Sequence, residues 1–172
     1  MDLAPYIRDI PDWPKPGVGF KDITPLLRHP GALAMAVEMM ANPFRGQGVD
    51  IVVGAESRGF IFGTAVAQSL SAGFVPIRKP NKLPWKTHRM EYQLEYGVDA
   101  LEIHQDAIEP GQNVIVVDDV LATGGTMKAA LDLVDLLGGK IVGVTVLIEL
   151  AFLGGRAKLK PYDNVRPVLS FD

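Results

Sequence analysis

NVIVVDDVLATGGTMK, residues 113–128, is the stretch from which the fold can be read. Four apolar β-formers, Val114 to Val117, lead into Asp118 and Asp119, then into a loop of small residues and a helical pattern. A continuous apolar run is the mark of a parallel strand buried on both faces, and open α/β sheets bind ligands in the crevice beyond the carboxyl ends of such strands. The acid pair is therefore expected at that crevice.

The loop Ala122-Thr123-Gly124-Gly125-Thr126 has the chemistry of an anion cradle. Two glycines let consecutive N–H groups converge, two threonines add hydroxyls, and the following helix adds the positive end of its dipole. It is neither a Walker loop nor a G-x-G-x-x-G turn. An acid pair at a strand end is, taken alone, ordinarily capping or solvated. Placed just upstream of a phosphate cradle, Asp118 and Asp119 suit the vicinal hydroxyls of a sugar, so the joint pattern describes a ribose 5-phosphate.

Outward from this stretch, apolar strands are expected at 49–53, 74–77 and 141–150, with helical patterns from Pro30, over 60–70 and after Thr126. Together they make a parallel βαβ core. A short helix is expected over 3–10, an ordered loop over 12–24, and a hairpin of 91–96 with 99–105 across Gly97. The N-terminal loop, the hairpin and the C-terminus are expected outside the core, as a cap. Gly54 to Phe60 (GAESRGF) ends one strand and opens a helix, so Arg58 faces the same crevice, and arginine suits bidentate capture of a pyrophosphate. Residues 78–90, RKPNKLPWKTHRM, are dense in basic groups and proline and are expected as an excursion, and Arg78, Lys79 and Lys82 of its RKPNKLP segment (78–84) read equally as a solvated basic loop. Within YQLEYG (92–97), strand alternation alone makes Glu95 solvent-facing.

The 172 residues suffice for one domain with a sizeable core. A net charge of −3 gives no general field for nucleic acid or an anionic membrane. The absence of cysteine excludes disulfides and thiolate chemistry and fits a reducing compartment. Neither a signal peptide nor a membrane span is legible, so a cytoplasmic protein is expected. His29, His88 and His104 lack metal-ligand spacing.

The 113–128 stretch resembles the phosphoribosyl-pyrophosphate (PRPP) signature of the type I phosphoribosyltransferases, and GAESRGF, RKPNKLP and LEYG narrow the resemblance to the adenine branch of that family. It implies an α/β, parallel-sheet type I core spanning 1–172, with helices on both faces and a small hood over the C-terminal edge. Residues 1–24 and the C-terminal region would contribute to the hood, and 78–105 would form a mobile loop and hairpin. The implied activity converts adenine and PRPP to AMP and pyrophosphate, with Mg²⁺ carried by the substrate, in a homodimer. Asp118 and Asp119 would hold the ribose, and Ala122 to Thr126 the 5-phosphate. Glu56, Ser57, Arg58, Arg78, Lys79 and Lys82 would hold the pyrophosphate, with a non-prolyl cis peptide near Glu56-Ser57. Phe20 and Leu150 would sandwich the purine while main-chain groups of Gly19 and Lys21 read its edge. At 19 the family often has a larger aliphatic and at 21 an arginine, so this chain departs there. Glu95 would handle the purine proton. The 6-oxopurine enzymes usually carry an aspartate at the position of Ala122, which favours adenine here. A 6-oxopurine transferase and a non-catalytic PRPP sensor are the alternatives.

Overall fold

The computed structural model describes residues 1–94 and 96–172. A 3-10 turn (Ala4–Tyr6) precedes β1 (Arg8–Ile10), β2 (Phe20–Asp22), α1 (Thr24–Arg28), α2 (Pro30–Ala41), β3 (Ile51–Ala55), α3 (Arg58–Leu70), β4 (Gly73–Ile77), β5 (Thr87–Leu94), β6 (Gly97–His104), β7 (Asn113–Leu121), α4 (Gly125–Leu136), β8 (Lys140–Leu150) and β9 (Val165–Phe171). Further 3-10 turns lie at Asn42–Phe44, Ala151–Leu153 and Gly155–Leu159.

The central sheet has five parallel strands in the order β4-β3-β7-β8-β9. β7 is its middle strand because Val114 to Val117 have no polar side to offer water, and all four are buried. Their side chains alternate between two apolar clusters. Val114 and Val116 pack with Leu131, Val134 and the rest of the α4 face. Ile115 and Val117 pack with α1, α2 and α3 through Leu26, Met40 and Phe62. Each fully buried aliphatic of this kind contributes on the order of 1.5–3 kcal/mol. Their sum makes the middle of the sheet the rigid base on which the loops beyond β3 and β7 are carried.

Four expectations change. The C-terminal stretch was expected outside the core, yet β9 is the fifth strand of the sheet, paired in parallel with β8 from Val144↔Val165 to Leu150↔Phe171. Arg166, Pro167 and Ser170 interrupt its apolar pattern, which an edge strand tolerates because only one side pairs. At the N-terminus no helix spans 3–10; a single 3-10 turn gives way to β1, which pairs antiparallel with β2 and so turns the 12–24 loop into a small hairpin. The second hairpin, β5–β6, begins at Thr87, and thus takes in residues expected to be part of the basic excursion. Leu101 and Ile103 bury into the α4-side cluster, anchoring it. Finally, β7 continues through the acid pair to Leu121, so Asp118 and Asp119 are strand residues. The apolar face of α2 is centred on Ala32, Ala36 and Met40, with Leu33 and Val37 at its border.

Candidate active site

One cavity of about 460 Å³ opens at the carboxyl end of the sheet. Its walls come from Gly19, Phe20 and Lys21 of the N-terminal hairpin, from Glu56, Ser57 and Arg58 after β3, from the acid pair on β7, and from the loop into α4 together with Leu150. The chain brings these segments together because β3, β7 and β8 run side by side in the same direction and therefore end at the same edge.

The β7–α4 loop forms one end. Gly124 takes φ +90° as the N-terminal cap of α4 and offers no side chain to the orphan helix amides. Those N–H groups are left for a ligand, at the positive end of a 12-residue helix. The loop lies directly on the backbone of Gly155: a Cβ at Gly124 would stand 2.5 Å from the Gly155 carbonyl oxygen. On its other flank Gly125 meets the ring of Tyr92 from β5, so the second hairpin rests on the cradle.

At the middle of the cavity, Asp118 lies against the start of α3 and accepts the Asp119 backbone N–H at 2.8 Å. Burial, and then the charge of Asp119 beside it, push the Asp118 carboxyl well above the usual carboxylate range. Asp119 is buried and pairs with the Arg58 guanidinium, which also lies 5.5 Å from the Phe20 ring centroid. The two carboxylates thus differ in their partners: Asp119 pairs with an arginine, whereas Asp118 accepts a backbone N–H. Ser57 makes no side-chain cap on α3, so the first amides of that helix also face the cavity. The Glu56-Ser57 peptide is cis.

The third end is apolar. Phe20 meets Trp13 edge-on at 4.5 Å, and Leu150 stands across the cavity wall. The Lys21 ammonium pairs with Asp9 and sits 4.1 Å from the Phe171 ring centroid, so its side chain is occupied, and the residue lines the cavity. Gly19 has open space where a Cβ would be.

Of the residues expected at the pyrophosphate, Arg78, Lys79 and Lys82 stand outside the walls. Arg78 donates to Glu56 at 3.1 Å and Lys79 pairs with Asp99 and Tyr92, while Lys82 is exposed. Glu95 lies outside the described residues. Several contributors carried no local signal: Val120, Leu121 and Met127 line the cavity, and Gly155, Tyr92 and Asp99 support it from behind. The paired glycines at 154–155 were the one legible hint. Among the described residues no group of three or more His, Asp or Glu side chains could hold a metal by itself.

A glycine-threonine loop at a helix N-terminus, an acid pair and an apolar wall, all lining one cavity at the carboxyl edge of a parallel sheet, are chemistry suited to a phosphorylated sugar next to a flat apolar group. The comparisons agree. Residues 22–170 match the Phosphoribosyl transferase domain family. An adenine phosphoribosyltransferase of Rhodopirellula baltica is 58% identical over 99% of this chain and 82% of its own. The crystal structure of the Rhodothermus marinus adenine phosphoribosyltransferase superposes with a TM-score of 0.94 at 52% identity, over 98% of this chain and 96% of that one. The yeast adenine phosphoribosyltransferase, solved with D-2,5-dideoxy-2,5-imino-altritol 1,6-bisphosphate and adenine, gives 0.92 at 39% identity, over 97% and 96%. The chain belongs to the phosphoribosyltransferase family, on the branch of the adenine phosphoribosyltransferases.

Proposed function

We propose that the protein transfers the 5-phosphoribosyl group of PRPP to adenine, giving AMP and pyrophosphate, a purine salvage reaction. The observation that carries this reading is that three kinds of group line one cavity: the β7–α4 loop, Asp118 and Asp119, and Phe20 with Leu150. They suit the 5-phosphate, ribose hydroxyls and base of one nucleotide. The yeast relative's pair of ligands, a bisphosphate and adenine, makes the same demands on a site.

In the reaction the purine N9 attacks C1 of the ribose, the C1–O bond to pyrophosphate breaks with its electron pair, and the N9 proton leaves. The α4 amides hold the 5-phosphate, and the acid pair orients the hydroxyls. Arg58 exchanges Asp119 for an oxygen of the leaving group, while Arg78 and Lys79 reach that group only by leaving Glu56 and Asp99. Stabilising the departing charge is the larger contribution. Mg²⁺ arriving with the substrate would supply further positive charge against the leaving group. Glu95 takes the purine proton, contributing about 10² to 10⁴ in rate. We further propose a cytoplasmic homodimer; among the described residues no helix is long and apolar enough to cross a membrane.

The test is PRPP-dependent AMP formation from adenine, with Glu95→Gln beside wild type and hypoxanthine as competing base. Turnover by wild type with kcat reduced at least tenfold in Glu95→Gln supports the assignment. Full activity in the variant removes Glu95 from the chemistry. A preference for hypoxanthine overturns the argument from Ala122, and PRPP binding without turnover of any purine favours the sensor.

A further inference from the structure

The reaction leaves the buried carboxylate of Glu149 unused. Glu149, 7% exposed, ends β8 next to Leu150 and carries its carboxylate behind the cavity. It accepts two N–H groups of Arg156, at 2.9 Å from Nε and 2.7 Å from Nη2, and a third donor of the same guanidinium reaches the Val165 carbonyl at 3.2 Å. The pair is bidentate, the geometry in which arginine binds carboxylate most firmly, and its hydrogen bonds raise the Arg156 pKa above its ordinary value.

This pair spans an excursion with little else to hold it. Residues 151–154 are exposed, and the chain goes under cover only at Gly155 and again at Leu159. Gly155 is the residue on which the anion cradle rests. Its backbone meets Gly124, and a Cβ on it would collide with the Ala122 carbonyl oxygen and stand 3.0 Å from the Gly124 nitrogen. The contact is backbone against backbone, so a displacement of the 154–156 turn passes directly to the amides of the loop. Arg156 is adjacent to Gly155 and ties it to the end of β8 and to β9.

We infer that Glu149 and Arg156 are positioning residues for the 5-phosphate, acting through the Gly155 turn on the β7–α4 loop. The inference rests on the proposed reading of that loop as the phosphate end of the cavity. Neither side chain reaches substrate. Loosening their pair lets the turn, and with it the cradle amides, drift from the geometry that receives three phosphate oxygens, so binding of the phosphorylated sugar weakens while the base end keeps its walls of Phe20 and Leu150.

The experiment compares wild type with Glu149→Gln and Arg156→Lys, both close in size to the native residues. The apparent KM for PRPP is measured at saturating adenine, and that for adenine at saturating PRPP. The expected result is a rise of about tenfold in KM for PRPP, equivalent to about 1.4 kcal/mol of lost binding, with kcat within threefold and KM for adenine within twofold. A fall in melting temperature with KM for PRPP within twofold of wild type overturns the inference, since that is what a purely structural pair would give. An equal rise in both KM values overturns it too. Calorimetric binding of ribose 5-phosphate separates this from the function itself. If wild type forms no AMP, the proposed function fails, yet the inference still requires both variants to bind ribose 5-phosphate about tenfold more weakly, and unchanged binding overturns it. Because the readout is made on folded protein of measured melting temperature, loss of fold in one variant leaves the other to decide.

Discussion

The two charged ends of the cavity are prepared for anions in opposite ways. At the β7–α4 loop the donors are backbone amides, fixed by the helix and by the backbone of Gly155, with no protein side chain capping them. Beside the acid pair and just outside the cavity walls the cations are side chains, and three of them already have partners: Arg58 with Asp119, Arg78 with Glu56, and Lys79 with Asp99. The first end is preorganised, and a ligand there has little to displace. The second neutralises itself until a polyanion competes for the cations, which keeps three positive charges from repelling one another in the free protein. Binding there is an exchange of ion pairs, and the freed carboxylates must find water or the hydroxyls of the sugar.

The comparison breaks most completely at Gly124. Alanine there meets a φ of +90° and a Cβ 2.5 Å from the Gly155 oxygen, so Gly124→Ala is expected to lower kcat/KM for PRPP by about 100-fold or more and stability by about 1–3 kcal/mol, read from initial rates and thermal melts. Next is Arg58→Ala at the exchanging end. Removing one donor from a transition state costs about 10² to 10³ in rate, and pre-steady-state AMP formation measures it. A rate within threefold of wild type would show that Arg58 serves Asp119 and not the leaving group.

The acid pair sharpens the comparison through pH. Asp118 is raised in the folded protein, so its favourable contribution is complete below the unfolded value near 3.8 and is lost as pH rises through the folded value. At neutral pH the raised group therefore works against the fold. Asp118→Asn is expected to melt higher than wild type by on the order of 2–4 °C at neutral pH, with the difference vanishing below pH 3.8 and with PRPP turnover impaired. A variant that melts lower would place a stabilising partner on Asp118. The smallest effect is at Asp99. Hydrogen bonding from Lys79 holds this carboxyl below its ordinary 3.8, so its contribution is present above that pH and is lost as pH falls through the depressed value. Both members of the pair are about a third exposed, at 38% for Lys79 and 30% for Asp99. Solvent screening then limits Asp99→Asn to less than about 1 kcal/mol of stability. Because the variant releases Lys79, its KM for PRPP is expected to stay level or fall up to about threefold, and a rise would show that the ion pair itself shapes the site.

Much of this was legible one segment at a time. Four apolar residues in a row require burial on both faces, so β7 and its neighbours were readable without their partners. The glycines and threonines of the cradle are local chemistry, and so is the basic character of 78–84. What escaped was whatever depends on a partner distant in the chain. β9 carries an arginine and a proline that only its place at the sheet edge excuses. Asp99 lies 20 residues beyond Lys79, in a hairpin whose register brings them together. Gly155 reads as a simple break until Gly124 is laid against it.

The sequence by itself determined a parallel α/β sheet and the chemical character of one edge, because periodicity, strand composition and loop chemistry act between neighbours along the chain. Only the tertiary structure decided which of its charges are free. Arg58, Arg78 and Lys79 look alike as basic residues near a phosphate motif, but each meets its own carboxylate through folding, and an ion pair is set by distances across elements that no local pattern records. In the same way the fold laid a quiet glycine pair, next to the Glu149–Arg156 bridge, against the backbone of the β7–α4 loop.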